Sequence, residues 1–204
     1  MYVMDFRKTN VMVFKELKKL LQSDRSVRRF DASRSVNEDT MRSLVELTRY
    51  CASGRNAQPL RYRIVTTGEE RDALFPLLAW AGYYTEWQGP DESQRPTAYL
   101  VQCRDTALGG DGLCDDGIQL QAITLGAAAL GLGCCIIKAF NPGKVKETLN
   151  IPEALNPLYV VAIGYPAERT KIVDMPSDGN FKYYRDTDDT QCVPKRPLEE
   201  LIIK

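Results

Sequence analysis

Apolar residues recur along this chain with two different periods, and the switching between them lays out the elements. Between residues 10 and 22, Val11, Phe14, Leu17, Leu20 and Leu21 fall at three- and four-residue steps with lysines on the other face, which predicts an amphipathic helix. A second helix is predicted from Asn37. Glu38 and Asp39 fall in its first turn, where the helix dipole favours acids, and Met41, Leu44, Val45, Leu47 and Thr48 supply its buried face. It stops near residues 51–54, and the polar stretch 55–60, with Pro59 near its end, is a loop. Residues 62–66, centred on Ile64 and Val65, read as a strand. Residues 69–80 read as a helix carrying Leu74, Leu77 and Leu78, and 98–103 as another strand. Between these two elements, 82–96 form a long loop carrying Tyr83, Tyr84 and Trp87. A loop of this length is a binding loop, or an Ω-loop packing its own aromatics.

The longest helix is predicted to begin at Asp111 or Asp115 and to run to about residue 131. Ile118, Leu120, Ile123, Leu125, the alanines 127–129 and Leu130 cover nearly every face, which predicts a central, buried helix. Its alanine-rich second half permits close packing within the chain or across a dimer. Gly131-Leu132-Gly133 follows. This G-x-G runs from helix into strand and lacks a third glycine, so it is not a dinucleotide-binding turn; its glycines end a helix and let a backbone approach closely. A short helix with Pro142 in its first turn spans 142–149, and an apolar strand spans 158–163. Residues 167–192 are polar and loop-rich. The apolar segment 198–203 has nothing in sequence to pair with, and reads as a terminal strand that joins a sheet in this chain or in a partner.

Composition narrows the chemistry. The 204 residues suit one domain over 1–204 with a sizeable core. A formal net charge of zero argues against nucleic acid as a partner, and no apolar run is long enough to span a bilayer. The polar, mixed first ten residues do not read as a signal peptide. Six cysteines without a C-x-x-C pair, three of them inside apolar runs, suit a reducing cytoplasm. The chain has no histidine, which excludes a Ser-His-Asp triad, a Cys-His pair, a histidine base and any histidine-ligated metal site. An enzyme built this way relies on other groups or on a cofactor.

One stretch concentrates the remaining chemistry. Asp24-Arg25-Ser26-Val27-Arg28-Arg29-Phe30 places three arginines within five residues, beside a hydroxyl. Guanidinium forks and a serine hydroxyl suit phosphate oxygens; the alternative is a solvated basic elbow.

Four segments then stand in a telling order. Arg25-Ser26-Val27-Arg28-Arg29-Phe30 resembles the R-S-x-R-x-[FY] motif of the FMN-dependent nitroreductase family. Ser53-Gly54-Arg55-Asn56-Ala57-Gln58-Pro59 is similar to that family's S-x-x-N-x-Q-P-W loop, and Gly131 to Ile136 resembles its G-L-G segment. Gly164-Tyr165-Pro166 and the later Lys195-Arg196-Pro197-Leu198 resemble its G-Y-P and basic C-terminal ending. The resemblance implies an α+β fold, a mixed sheet flanked by helices. It implies a homodimer whose C-terminal strand crosses to the partner's sheet and whose two FMN sites lie in the interface. By position, Arg25, Ser26 and Arg28 would bind the FMN phosphate, ribityl chain or ring edge. Ser53, Asn56 and Gln58 would reach the flavin from the partner subunit. Cys134, Cys135 and Ile136 would approach the ring, mostly through backbone groups, and Lys195 and Arg196 would complete the phosphate cage.

The resemblance further implies a flavin oxidoreductase that takes hydride from NADH or NADPH and passes electrons to a second small, planar substrate in ping-pong fashion. No protein side chain is then expected to act as acid or base. Tyr83, Tyr84 and Trp87 are candidates for the substrate wall. Arg29 reads as a surface residue, and Cys134-Cys135 as packing rather than redox thiols. The chain departs from the family at Leu60, where tryptophan is usual, at Asp24, where many members carry a basic residue, and in the length of 167–192. The alternatives are a dehalogenase-like or oxygen-using enzyme of the same fold, a non-catalytic FMN-storing dimer, and an anion-binding module without flavin.

Overall fold

The computed structural model describes residues 11–108 and 114–203. Its first elements are helix α1 (Val11–Ser23) and helix α2 (Glu38–Leu47). Strand β1 (Leu60–Val65), helix α3 (Gly68–Leu74), strand β2 (Ala98–Asp105) and helix α4 (Asp115–Ala129) follow. Strand β3 (Gly133–Ile137), helix α5 (Pro142–Thr148) and strand β4 (Leu155–Gly164) complete the main body. The four strands pair in the order β1-β2-β4-β3, antiparallel throughout.

The two central strands are buried on both faces, which explains why they read as unbroken apolar runs and not as alternation. Alternate residues feed two separate clusters. Tyr99, Val101, Val160 and Ala162 pack with Phe30, Leu74, Trp80 and Val145 under α3 and α5. Leu100, Val161 and Ile163 pack with Met41 and Leu44 of α2 and with Leu120, Ile123 and Ala127 of α4. Local chemistry sets the helix ends. Asn37 caps α2 by accepting the Thr40 N–H (2.8 Å), and Asn141 caps α5 by accepting the Lys144 N–H (3.1 Å). Among the described residues, no helix is long and apolar enough to cross a membrane.

The α+β class matches the expectation from sequence, but several elements differ. Residues 69–80 are not one helix. α3 ends at Leu74 and a 3-10 turn covers Phe75–Leu77, because Pro76 has no N–H for the carbonyl four residues back. α4 begins at Asp115; Asp111 and the predicted first residue of α1, Asn10, lie outside the described residues. α4 is not buried all round. The sheet covers only one side of it, and Ile118 and Leu130 remain 38% and 55% exposed. Phe14, Leu17 and Leu21 of the apolar stripe of α1 are likewise uncovered, Phe14 at 65%.

Residues 167–192 are not simply loop. They hold β5 (Thr170–Asp174) and β6 (Tyr184–Arg185), which flank β7 (Gln191–Lys195) in a small sheet, β5 parallel and β6 antiparallel to it. Among the described strands, β5 with β7 is the parallel pair. The C-terminal segment is not a strand within its own chain. Leu198–Leu201 forms a short helix, α6, and among the described residues no strand pairs with it.

The two glycines after α4 have separate tasks. Gly131, at φ +73°, closes the helix: its N–H bonds the Ala128 carbonyl (3.0 Å) and the Leu132 N–H bonds that of Ala127 (2.9 Å). At Gly133, a Cβ would lie 2.7 Å from Cγ2 of Val27. Gly133→Ala is therefore expected to destabilise the protein by about 1–3 kcal/mol, read as a lowered urea midpoint with unchanged slope.

Candidate functional site

The contact at Gly133 brings the arginine run alongside β3. Ser26 forms a parallel bridge with Cys134, and the Val27 N–H donates to the Cys134 carbonyl (2.8 Å). Above this junction lies a cavity of about 220 Å³. Asp24, Arg25, Ser26 and Arg28 line one side of it, Cys134 and Ile136 its floor, and Gln121 and Thr124 of α4 the next wall. Tyr183, Val193 and Lys195, all from the C-terminal small sheet and its loop, close the remainder.

The charges here are only partly neutralised. Arg25 donates through Nη2 to the Leu21 carbonyl (2.7 Å) at the end of α1, while its Nε is buried without a partner. Arg28 lies 4.5 Å over the ring of Tyr183, and its Nε is likewise buried and unpartnered. Neither guanidinium is paired with a carboxylate among the described residues, so the positive charge that lines the cavity suits an acceptor-rich anion there. Asp24 accepts from Gln121 Nε2 and Thr124 Oγ1, both at 2.7 Å, so its carboxylate is satisfied by α4. Lys195 lines the cavity; Arg196 does not, and pairs instead with Glu200 (3.0 Å). Arg29 is half-buried and ion-paired to Asp189 (2.6 Å).

Glu168 holds this region together, and sequence reasoning missed it. Its side chain is 2% exposed and pairs with Arg185. One carboxylate oxygen accepts the successive backbone N–H groups of Arg28 and Arg29. A lone glutamate about 140 residues away in a polar stretch carries no local signal of such a role.

Ser53, Asn56 and Gln58 lie elsewhere. They line a second cavity of about 190 Å³ with Arg49, Arg61 and Gln119. The loop is backbone-strained: Arg55, Asn56 and Gln58 all have positive φ, at 53°, 54° and 50°. Asp115, only 2% exposed, secures it. Its carboxylate accepts the Ser53 hydroxyl (2.6 Å) and the Gly54 N–H (2.9 Å), and Ser53 Oγ in turn accepts the Gln58 N–H (2.9 Å). One chain therefore carries both groups of sequence-predicted residues but does not bring them into one cavity.

The remaining candidates fall as follows. Cys134 and Cys135 are buried on opposite faces of β3, and burial pushes both thiols up, Cys134 well up, which disfavours thiolate chemistry. Ile136 is partly exposed at the cavity. None of Tyr83, Tyr84 and Trp87 lines either cavity. Trp87 packs on the core, while the rings of Tyr83 and Tyr84 meet Tyr183 at 4.8 Å and 5.3 Å. Tyr183, hidden in sequence within a polar stretch, is the aromatic that reaches the cavity.

The Asp115 anchor has a pH signature. Hydrogen bonds from Ser53 and then from the Gly54 N–H hold its carboxyl below the ordinary 3.8. A lowered folded value means that its stabilising contribution is complete above the unfolded value and is lost as pH falls through the folded one. Asp115→Asn is expected to speed limited proteolysis within 53–58 several-fold at neutral pH. The stability gap between wild type and this variant, read by urea denaturation, should narrow below about pH 4.

Comparison with known proteins meets this geometry from another side. The nitroreductase family model matches residues 21–110 and 112–165, most of the chain. A Cr(VI) reductase of Pseudomonas sp. (strain G-1) is 24% identical over 168 residues, covering 76% of this chain and 69% of that protein. A nitroreductase family protein of Streptococcus pneumoniae TIGR4 superposes with a TM-score of 0.65 at 20% identity, over 92% of this chain and 99% of that one. An FMN-dependent nitroreductase of Clostridium difficile R20291 gives 0.63 at 19% identity, over 82% and 97%. The arginine run, the 53–58 loop, the glycine-ended α4 and the strand that ends at Gly164 all fall inside the matched residues, and the chain belongs to the nitroreductase family.

Proposed function

We propose that the protein is an FMN-dependent oxidoreductase that takes hydride from NADH or NADPH and reduces a second small, planar substrate, such as a nitro compound or a quinone. Donor and acceptor would occupy the same slot in turn, a ping-pong order. The observation that carries this reading is the division of the site. The Arg25–Arg28 side and the 53–58 side lie in two separate cavities of one chain. Each is smaller than the roughly 300–1,000 Å³ usual for a small-molecule site. In a homodimer each cavity would gain the other's complement from the partner.

The residues suit the cofactor. The guanidinium groups of Arg25 and Arg28, with Ser26 and Lys195 beside them, match a phosphate or the electron-rich edge of a flavin. The partner's Asn56 and Gln58, with the partner's Ser53, would offer amide and hydroxyl groups to the ring's polar edge. The backbone of Cys134, Cys135 and Ile136 would lie near the ring, and Arg196 would reach the phosphate only by leaving Glu200. When bound, FMN supplies the hydride-accepting and hydride-donating chemistry, which suits a chain without histidine. The protein's own part is to position two planar molecules and to exclude water.

The uncovered faces support the dimer. Phe14 and Leu17 of α1, Ile118 and Leu130 of α4, and the C-terminal Leu198, Leu201 and Ile203 are all exposed in the single chain. A cytoplasmic setting is part of the same reading, supported by six free cysteines.

Freshly purified protein is expected to show flavin absorption bands that bleach on anaerobic addition of NADH or NADPH. Bands that persist would favour an FMN-storing dimer, and no bands even with added FMN would overturn the cofactor assignment. Truncation after Pro197 is expected to shift the protein from dimer toward monomer in size-exclusion chromatography with light scattering. A truncated chain that stays fully dimeric would remove the C-terminal segment from the interface.

A further inference from the structure

Arg28 is held differently from its neighbours. Arg29 is neutralised by Asp189, and Arg25 leans on the Leu21 carbonyl. Among the described residues, the Arg28 guanidinium makes no hydrogen bond or ion pair; its Cζ lies over the Tyr183 ring, 4.5 Å from the centroid. The distinction is physical. A carboxylate would grip a guanidinium by its edge, using its N–H donors and cancelling its charge. An aromatic face attracts it through the ring quadrupole, leaving the charge intact and using none of its N–H donors on an acceptor.

The Tyr183 ring is itself well supported. Tyr83 and Tyr84 stand against it at 4.8 Å and 5.3 Å, and its hydroxyl accepts the Tyr83 N–H (3.4 Å). Tyr84 is tethered in turn, its hydroxyl donating to Oε1 of the buried Gln191 on β7 (2.8 Å). Behind the guanidinium, the Arg28 backbone N–H is fixed by Glu168. Both ends of this arginine are thus positioned by the 167–192 segment, and neither support uses up its donors.

We propose that Tyr183 is a positioning residue: its ring face holds Arg28 in the cavity with charge and donors available to the anionic part of the ligand. The inference rests on the flavin reading above and assigns the segment 167–192 a part in cofactor binding.

The test is FMN affinity of the full-length protein, read by quenching of flavin fluorescence, with circular dichroism to check folding. Tyr183→Phe keeps the ring face and is expected to bind within about twofold of wild type. Tyr183→Leu keeps apolar bulk without the π face, Tyr183→Ala keeps neither, and each is expected to lose about tenfold. Tyr183→Glu supplies a competing carboxylate and should bind more weakly than Tyr183→Ala. In an Arg28→Ala background, Tyr183→Leu should have no further effect. The inference is overturned if Tyr183→Leu binds like wild type, if Tyr183→Phe is as weak as Tyr183→Leu, or if the loss persists without Arg28. Wild-type protein that binds no FMN would instead overturn the flavin reading, and this inference with it.

Discussion

The contact of Val27 with Gly133 is the constraint on which the site depends. With no side chain at Gly133, the chain leaving α1 lies close enough to β3 for Ser26 to bridge Cys134 and for Val27 to bond its carbonyl. That bonding orients the arginine run along the sheet edge, so that Arg25, Ser26 and Arg28 line a cavity instead of solvent. Phe30, at the end of the run, repeats the device. It is fully buried against Gly164, where a Cβ would meet its ring carbon at 2.9 Å. The basic run is therefore anchored at its middle by Val27 on Gly133 and at its end by Phe30 on Gly164.

Two buried carboxylates hold the segments that line the two cavities. Glu168 accepts the backbone N–H groups of Arg28 and Arg29, and Asp115 accepts those of Gly54 and the Ser53 hydroxyl. Burying a carboxylate is costly unless donors compensate it, and here the donors are the backbone of the segments being positioned. Each acid thus stabilises an irregular backbone that neither a helix nor a sheet would supply. The left-handed residues Arg55, Asn56 and Gln58 persist because Asp115 and Ser53 close the loop around them.

The segment 167–192 links these local devices to the rest of the fold. It contributes Glu168, which accepts the Arg28 and Arg29 N–H groups, Arg185, which pairs with Glu168, Asp189, which pairs with Arg29, and Tyr183, whose ring faces Arg28. The loop 82–96 contributes Tyr83 and Tyr84 as backing to Tyr183, not as a wall of the cavity. What remains open is apolar: one face of α1, the outer face of α4, and the C-terminal turn.

The sequence alone determined helices α1, α2, α4 and α5, the four strands of the main sheet and the chemical character of the site. Periodicity marked α1 and α2, a long apolar run marked α4, the cap at Asn37 marked where α2 begins, and Gly131 marked where α4 ends, because these are local consequences of backbone geometry and hydrogen bonding. The arginine run and the 53–58 loop were legible for the same reason. Contacts between distant residues were not. Glu168 and Tyr183 sit in a polar stretch with no period, and their roles arise from pairing β5, β6 and β7 against a run more than 130 residues earlier. The sequence showed α4 to be apolar all round; only the tertiary structure decided which face the sheet covers and which is left exposed. It likewise turned 198–201 into a helical turn, because a strand is defined by its neighbour and not by its own residues.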